Sequence, residues 1–315
     1  MKILLNLNVE ALSKKRVVDW GYTENLEAAS FNHFEKWVAQ GKHEPLKYLS
    51  DERKEKRKSL KSVFPKAQSA LVFLFDYRAA KNYQENLDPQ NKIAAYSIGF
   101  EDMDYHYWIK ERLIEIATSL EIDHYDISLD VHPVLERDLA YRAGLGWFGK
   151  NSMLIHQNIG SYFLIGSLIV HKKLDLTQRH LETDHCGNCR RCIDACPTQA
   201  ILENERTLDT KKCISTYTIE IFKEASAPTG YPNKSNEVFG CDICQEVCPW
   251  VKKNSGENRI DSSWLVEFFN RSQDEIYGEI NSLSNREFKT KFKSTSLERL
   301  GKKGLLKNLK KANLG

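Results

Sequence analysis

Eight cysteines fall between Cys186 and Cys248, and none occurs before Cys186. Their spacing, more than their number, indicates their chemistry. The first group is Cys186-x2-Cys189-x2-Cys192-x3-Cys196-Pro197, and the second is Cys241-x2-Cys244-x3-Cys248-Pro249. Three thiolates on a tight loop can each reach one iron of a four-iron, four-sulfur cubane, while the fourth iron takes its ligand from a distance. The second run lacks one member, which Cys213 can supply. Secreted disulfide proteins scatter cysteines through the fold, whereas clustering at short fixed spacing indicates metal. Zinc ribbons need two C-x2-C pairs instead of a triplet followed by Cys-Pro.

In two-cluster ferredoxins the last cysteine of each run ligates the other cluster. On that rule cluster one takes Cys186, Cys189, Cys192 and Cys248. Cluster two takes Cys196, Cys213, Cys241 and Cys244, and no cysteine is left over. Two clusters so interlocked suit single-electron transfer from surface to interior.

A pair of clusters needs far fewer than 315 residues. The segment before them alternates helix and strand signals. Phe34–Tyr48 reads as helix, and Ala70–Phe75 as a buried strand. Ile109, Leu113, Ile116 and Leu120 fall on one helical face. His124–Val131 reads as a strand, and Val134–Ala143 as a short helix stopped by Gly144. Met153–His156 and Tyr162–His171 read as further strands. The alternation predicts an α/β sandwich over residues 1–175. A ferredoxin-like two-cluster module over 176–256 follows, drawing much of its folding energy from metal ligation. Residues 257–315 read as a short helical, basic segment, so the fold class as a whole is α+β.

Composition sets limits. The 46 basic and 43 acidic residues leave a net charge of only +3, so whole-chain charge does not announce a nucleic-acid binder. The opening residues have too short an apolar run for a secretion signal, and Tyr162–Val170 is about half the length of a membrane span. A cytoplasmic, membrane-free monomer is expected. Basic residues are concentrated locally: ten against two acidic from Arg286 to Gly315, and a second run at Arg53–Lys61. Lys302, Lys303, Lys307 and Lys310 are the positions expected to meet RNA phosphates, although charge runs are often only solvated helix faces.

The stretch DVHPVLERDLAYRAGLGWFGKN, from Asp130 to Asn151, resembles the epoxyqueuosine reductase family. So do Glu55-Lys56-Arg57, Asp104-Tyr105-His106, the CGNCRRCIDACPTQAI run, Cys213-Ile214-Ser215, Gly240-Cys-Asp-Ile-Cys-Gln and Asn285-Arg-Glu-Phe-Lys, in the family's order along nearly the whole chain. The resemblance implies reduction of the epoxide of epoxyqueuosine at the wobble position of a tRNA anticodon, with cobalamin and two [4Fe–4S] clusters as cofactors. It implies an external low-potential electron donor of flavodoxin or ferredoxin type. Removing an epoxide oxygen takes two electrons and two protons. Cobalamin would carry the carbon chemistry, and a positioned carboxylic acid would protonate the departing oxygen. The family's proposed proton donor matches Asp130, whose enclosure would favour the protonated form. Arg57, Asp130, Leu154, Ser215 and Asp242 match cobalamin contacts, and Asp104-Tyr105-His106 is expected to shape the pocket or, with Asp104 as cap, to start a helix. Asp130-Val131-His132 imitates the start of a cobalt-ligating histidine motif, but that motif continues x-x-Gly whereas Pro133-Val134-Leu135 follows here, so His132 is not assigned to cobalt.

The sequence departs from the family in two places. Many members continue into a helical-repeat domain beyond the point where this chain stops, and the link 97–103 is longer than usual. Two other readings remain: a reductive-dehalogenase-like reductase of small molecules, and a ferredoxin-type electron carrier. The large N-terminal lobe counts against the carrier, and the lack of an export signal against the dehalogenase.

Overall fold

The computed structural model describes residues 9–84, 91–203, 205–221, 236–251, 260 and 262–312. The short apolar run near the start of the chain, weighed above as a secretion signal, lies outside that set.

Four antiparallel strands form the central sheet: β1 (Val17–Thr23), β2 (Ser69–Asp76), β3 (Tyr125–Ser128) and β4 (Phe163–Val170), in the spatial order β1-β2-β4-β3. All eight residues of β2 are buried. Side chains alternate across a strand, so Ala70, Val72 and Leu74 face one cluster and Leu71, Phe73 and Phe75 the other. Both faces are covered, which is why the sequence there is uninterruptedly apolar. On one side lies α2 (Tyr105–Ser119), which buries Ile109, Leu113 and Ile116 completely. Gly166 on β4 permits that approach, since a Cβ there would sit 2.8 Å from Ile109 Cγ2. On the other side lies α3 (Glu136–Arg142) with Leu139 and Ala140. Each buried leucine or isoleucine among these contributes roughly 1.5–3 kcal/mol by leaving water.

The expected helix over 34–48 is shorter: α1 spans Phe31–Ala39 and gives way at Gly41, whose φ of +68° favours glycine, before Pro45. Gly144 stops α3 with φ +74°. A Cβ there would meet Arg179 Cβ at 2.5 Å, because the link to the cysteine module crosses this point. The segment 153–156 contributes only Leu154–Ile155, paired with Trp147–Phe148.

The cysteine module contains two short helices, Arg191–Ala195 and Ile243–Glu246, packed against each other. It is joined to the sheet lobe by a parallel bridge between Lys92–Ile93 and Glu237–Phe239. Four further helices follow: α4 (Trp264–Phe269), α5 (Gln273–Ser282), α6 (Asn285–Lys291) and α7 (Gly301–Ala312). Their Leu265, Phe269, Ile280, Phe288 and Leu309 enter the same apolar cluster as α2. The long link 97–103 takes part in this docking. Asp102 accepts from Ser263 Oγ (2.5 Å) and from the Trp264 N–H (2.8 Å), fixing the start of α4.

Candidate active site and cluster pockets

Cys186, Cys189, Cys192 and Cys248 line one small pocket together with Ile155, Pro249 and Trp250. These are the four thiols expected at cluster one; Lys150, Asn151 and Arg191 share the lining, and four thiols converging on one pocket fit a cubane. Burial pushes the Cys192 thiol up to about 11, and Cys186 and Cys248 push the same way. Burial also raises Cys244, reinforced by Cys213, Asp242, Cys192 and Cys196, while Cys241 is raised by burial, Glu237, Cys244 and Cys213. The second set therefore also lies close together, with Cys192 linking the two groups. Thiols crowded in this way resist ionising by themselves, and a bound metal cluster supplies the positive charge that offsets the cost.

The Asp130–Asn151 stretch does two kinds of structural work. In α3, Arg142 and Asp138 form a buried ion pair at 2.6 Å, and Asp138 also accepts from the Ser30 N–H at 2.7 Å, anchoring α1. After α3, Lys150 Nζ donates to the carbonyls of Gly187 (2.7 Å) and Cys189 (2.9 Å). Asn151 Nδ2 donates to the Cys244 carbonyl at 3.3 Å. Consecutive residues of the sheet lobe thus hold one loop from each cysteine set.

Asp130 lies just beyond the end of β3. Its Oδ2 accepts from Tyr105 Oη, and its Oδ1 meets His106 Nε2. The other imidazole nitrogen, Nδ1, lies 2.6 Å from Asp104 Oδ1. Asp104 also caps α2 by accepting from the His106 N–H, and Arg299 approaches it at 3.4 Å. Asp104 is thus both helix cap and pocket residue. Burial alone would raise Asp130, but the hydrogen bond and charge of His106, with Tyr105 and Arg299, outweigh it and hold the carboxyl below its ordinary range. Without a corrin face beside it, the Asp130 side chain is 51% exposed and pairs with the His106 ring. Burial opposes charge on His106, yet Asp104 and Asp130 raise it to about 9.

Around this carboxylate stand Tyr48, Tyr96, Glu136, Glu220 and Arg299. Its charge opposes ionisation of the first four and favours that of Arg299. Tyr48 Oη donates to Glu220 at 3.2 Å. Arg57 is 8% exposed, with its guanidinium 5.7 Å above the Phe34 ring. Its Nη2 reaches the Tyr48 carbonyl at 3.5 Å, and its Nη1 is buried with no acceptor among the described residues. A buried guanidinium N–H without an acceptor is costly unless a ligand supplies one.

The other residues matched to cobalamin are placed differently. Leu154 is packed in the α3-side core. Ser215 precedes a helical turn over Thr216–Glu220 and hydrogen-bonds toward Cys213. Asp242 is buried, accepting from the Ala95 N–H (2.7 Å) and Gln245 Nε2 (3.1 Å), and burial lifts it to about 6. His132 packs on Phe64, with ring centroids 5.1 Å apart.

Of the four lysines expected to meet RNA, two are committed internally. Lys302 Nζ donates to the carbonyls of Asn281 (2.9 Å) and Leu283, and Lys307 Nζ to those of Tyr217 and Ile221, both at 2.7 Å. Lys303 and Lys310 are exposed, Lys310 lying 5.7 Å from the Tyr277 ring.

Two family models match the chain: a 4Fe-4S double cluster binding domain over residues 185–251, and epoxyqueuosine reductase QueG, DUF1730, over residues 57–131. The chain is 36% identical over 280 residues to the epoxyqueuosine reductase of Cyclobacterium marinum, covering 87% of this chain and 85% of that one. It is 32% identical over 300 residues to that of Synechocystis sp., covering 93% and 97%. Among solved structures, the Streptococcus thermophilus epoxyqueuosine reductase superposes with TM-score 0.78 at 24% identity, covering 99% of this chain and 81% of that one. A second, solved with an epoxyqueuosine-modified tRNA-Tyr stem loop, superposes with TM-score 0.76 at 25% identity, covering 96% and 79%. The chain is an oxidoreductase with a double [4Fe–4S] domain, and it belongs to the epoxyqueuosine reductase family.

Proposed function

We propose that this chain reduces epoxyqueuosine to queuosine at the wobble position of tRNA, with Asp130 as the proton donor. The observation that carries this reading is the half-exposed Asp130 carboxylate, held between His106 and Tyr105 and ringed by residues that feel its charge.

The overall change is epoxide plus two electrons and two protons to alkene plus water. The eight cysteines, partitioned as above, would hold two clusters that deliver electrons singly. Cobalamin, when bound, supplies two-electron reduction at carbon. Arg57 fits this group best, since its buried Nη1 lacks an acceptor among the described residues. Asp130, Leu154 and Ser215 would complete the contact, and Asp242 would join only by releasing one of its present partners. A base buried in an anticodon stack must leave it to reach such a site. The exposed Lys303 and Lys310 would meet phosphate, and an external low-potential donor would reload the clusters. The chain would act as a catalytic lobe (1–175), a cluster module (176–256) and a helical basic segment (257–315). Among the described residues no helix is long and apolar enough to cross a membrane.

The test is anaerobic reconstitution with iron, sulfide and cobalamin, then nucleoside analysis of epoxyqueuosine-containing tRNA. Queuosine is the expected product. Unchanged epoxyqueuosine with both clusters and cobalamin loaded would overturn the reading.

A further inference from the structure

Reduction of an epoxide consumes two protons, yet the Asp130 carboxylate is held ionised by its neighbours. The proton must therefore be stored beside it. His106 is the group so placed. Its Nε2 meets Asp130 Oδ1, and its Nδ1 is fixed 2.6 Å from Asp104 Oδ1. The ring is stacked on Tyr105, centroids 4.0 Å apart, so it cannot swing away without breaking that stack. Two carboxylates on opposite nitrogens make an imidazolium at neutral pH, each accepting one N–H.

We propose that His106 is a positioning residue and proton reservoir for Asp130, with Asp104 keeping the imidazole charged and oriented. The inference rests on the reading of Asp130 as proton donor. His106 Nε2–H first passes to Asp130 Oδ1, and Asp130 delivers that proton to the departing oxygen as the C–O bond breaks, leaving neutral imidazole and carboxylate at the end of the step. Solvent reprotonates His106 for the second proton, which releases the oxygen as water. The two electrons would be supplied by the clusters and cobalamin when bound, so protons and electrons balance.

Every titratable or charged group around the pair bears on its pH dependence. Asp104 and Asp130 favour the imidazolium. Tyr105 donates to Asp130 and competes for its charge, and Arg299 pairs with Asp104. Burial disfavours the charged forms of Glu136, from the start of α3, and of Glu220 and Tyr96, and the Asp130 charge pushes each the same way. His106 is raised to about 9, so it is expected to lose its charge on the alkaline side of the range.

The experiment uses the full chain with clusters and cobalamin loaded and measures kcat and KM on an epoxyqueuosine stem loop from about pH 5.5 to 9.5, the span that brackets an imidazole and a carboxyl. Wild-type kcat should hold through neutrality and fall on the alkaline side. His106→Gln should keep KM, cluster absorbance and bound cobalamin. It should lose about 100-fold in kcat at pH 8, the scale of positioned acid catalysis, and recover as pH falls and Asp130 takes its proton from solvent. Asp104→Asn should move the alkaline limb to lower pH. A loss in His106→Gln that is equal at every pH, or no loss, overturns the proposal. A second readout does not depend on turnover: NMR of ¹³C-labelled histidine should show His106 titrating well above an ordinary imidazole and falling in Asp104→Asn and Asp130→Asn. An ordinary titration overturns the reservoir even if the enzyme is active. A raised titration in a loaded protein that makes no queuosine instead faults the proposed reaction.

Discussion

Asp104 and Asp130 grip opposite nitrogens of one imidazole, that of His106, although they come from different elements, the cap of α2 and the loop after β3. The relationship explains why the proposed acid is ionised at rest: an adjacent cation outweighs partial burial. It also makes the Asp-Tyr-His tripeptide a single device. Asp104 starts the helix, Tyr105 donates to one oxygen of Asp130, and His106 engages the other.

Asp130→Asn keeps the size of the side chain and removes the acid. Because Asp130 is half exposed and neither packs the core nor ligates a cluster, fold and iron content should survive. Turnover should fall by roughly 100-fold or more. Cobalamin occupancy must be measured with the rate, since loss of cofactor alone would mimic loss of acid. Near-normal turnover in a cobalamin-loaded variant would move the proton donor to water or another residue.

Cys213 stands outside both short cysteine runs, yet its charge is felt by Cys241 and Cys244. Wild-type protein should carry about eight irons, as two cubanes require. Cys213→Ala should damage one cluster and leave the one expected at Cys186, Cys189, Cys192 and Cys248. Iron content and electron paramagnetic resonance would report this directly, and two intact clusters in the variant would refute the partition.

Much of the architecture could be read in the sequence because it depends on short-range pattern. The uninterrupted apolar run of β2 and the 3.6-residue period of α2 both emerge as elements, and the cysteine spacing places four thiols around one cavity. What escaped depends on long-range partners. β1, with sequence VVDWGYT, has no clean alternation, and it is made a strand by pairing with β2. The ionised state of Asp130 needed His106, 24 residues away, to be seen in space. Lys150 and Asn151 read as signature residues, but their role as a clasp on both cysteine loops appears only once the loops are folded back.

Asp19 on β1 offers a test of stability, not activity. It accepts from both Arg179 nitrogens (2.7 and 2.8 Å) and from His156 (3.0 Å), tying the link before the cysteine module to the sheet edge. Burial would raise its carboxyl, but these hydrogen bonds win and hold it at about 2, against 3.8 in the unfolded chain. A depressed carboxyl contributes stability that is fully present above the unfolded value and is lost as pH falls through the folded one. Asp19→Asn should therefore cost on the order of 2 kcal/mol at neutral pH. It should also flatten the acid limb of the unfolding midpoint between about pH 4 and 2. An unchanged acid limb would mean that the Arg179 ion pair is not kept in solution.

The C-terminal lysines divide into two kinds that experiment can separate. Lys302 and Lys307 act as carbonyl caps, Lys302 at the end of α5 and Lys307 on the turn over Tyr217–Ile221. Removing either ammonium leaves carbonyls without their donor, at about 1–3 kcal/mol where they are buried. Lys302→Met and Lys307→Met should thus lower the melting temperature and weaken RNA binding only in so far as they loosen α7. Lys303 and Lys310 are exposed, and their charge is available to phosphate. Lys303→Glu with Lys310→Glu should leave the melting temperature near wild type and weaken tRNA affinity across sequences. The slope of log affinity against log salt should fall by roughly one for each phosphate no longer neutralised. Affinity measured at several salt concentrations, alongside thermal unfolding of the same proteins, distinguishes the two effects. If the exposed pair leaves both affinity and salt slope untouched, this face of α7 is merely solvated and the tRNA is held elsewhere.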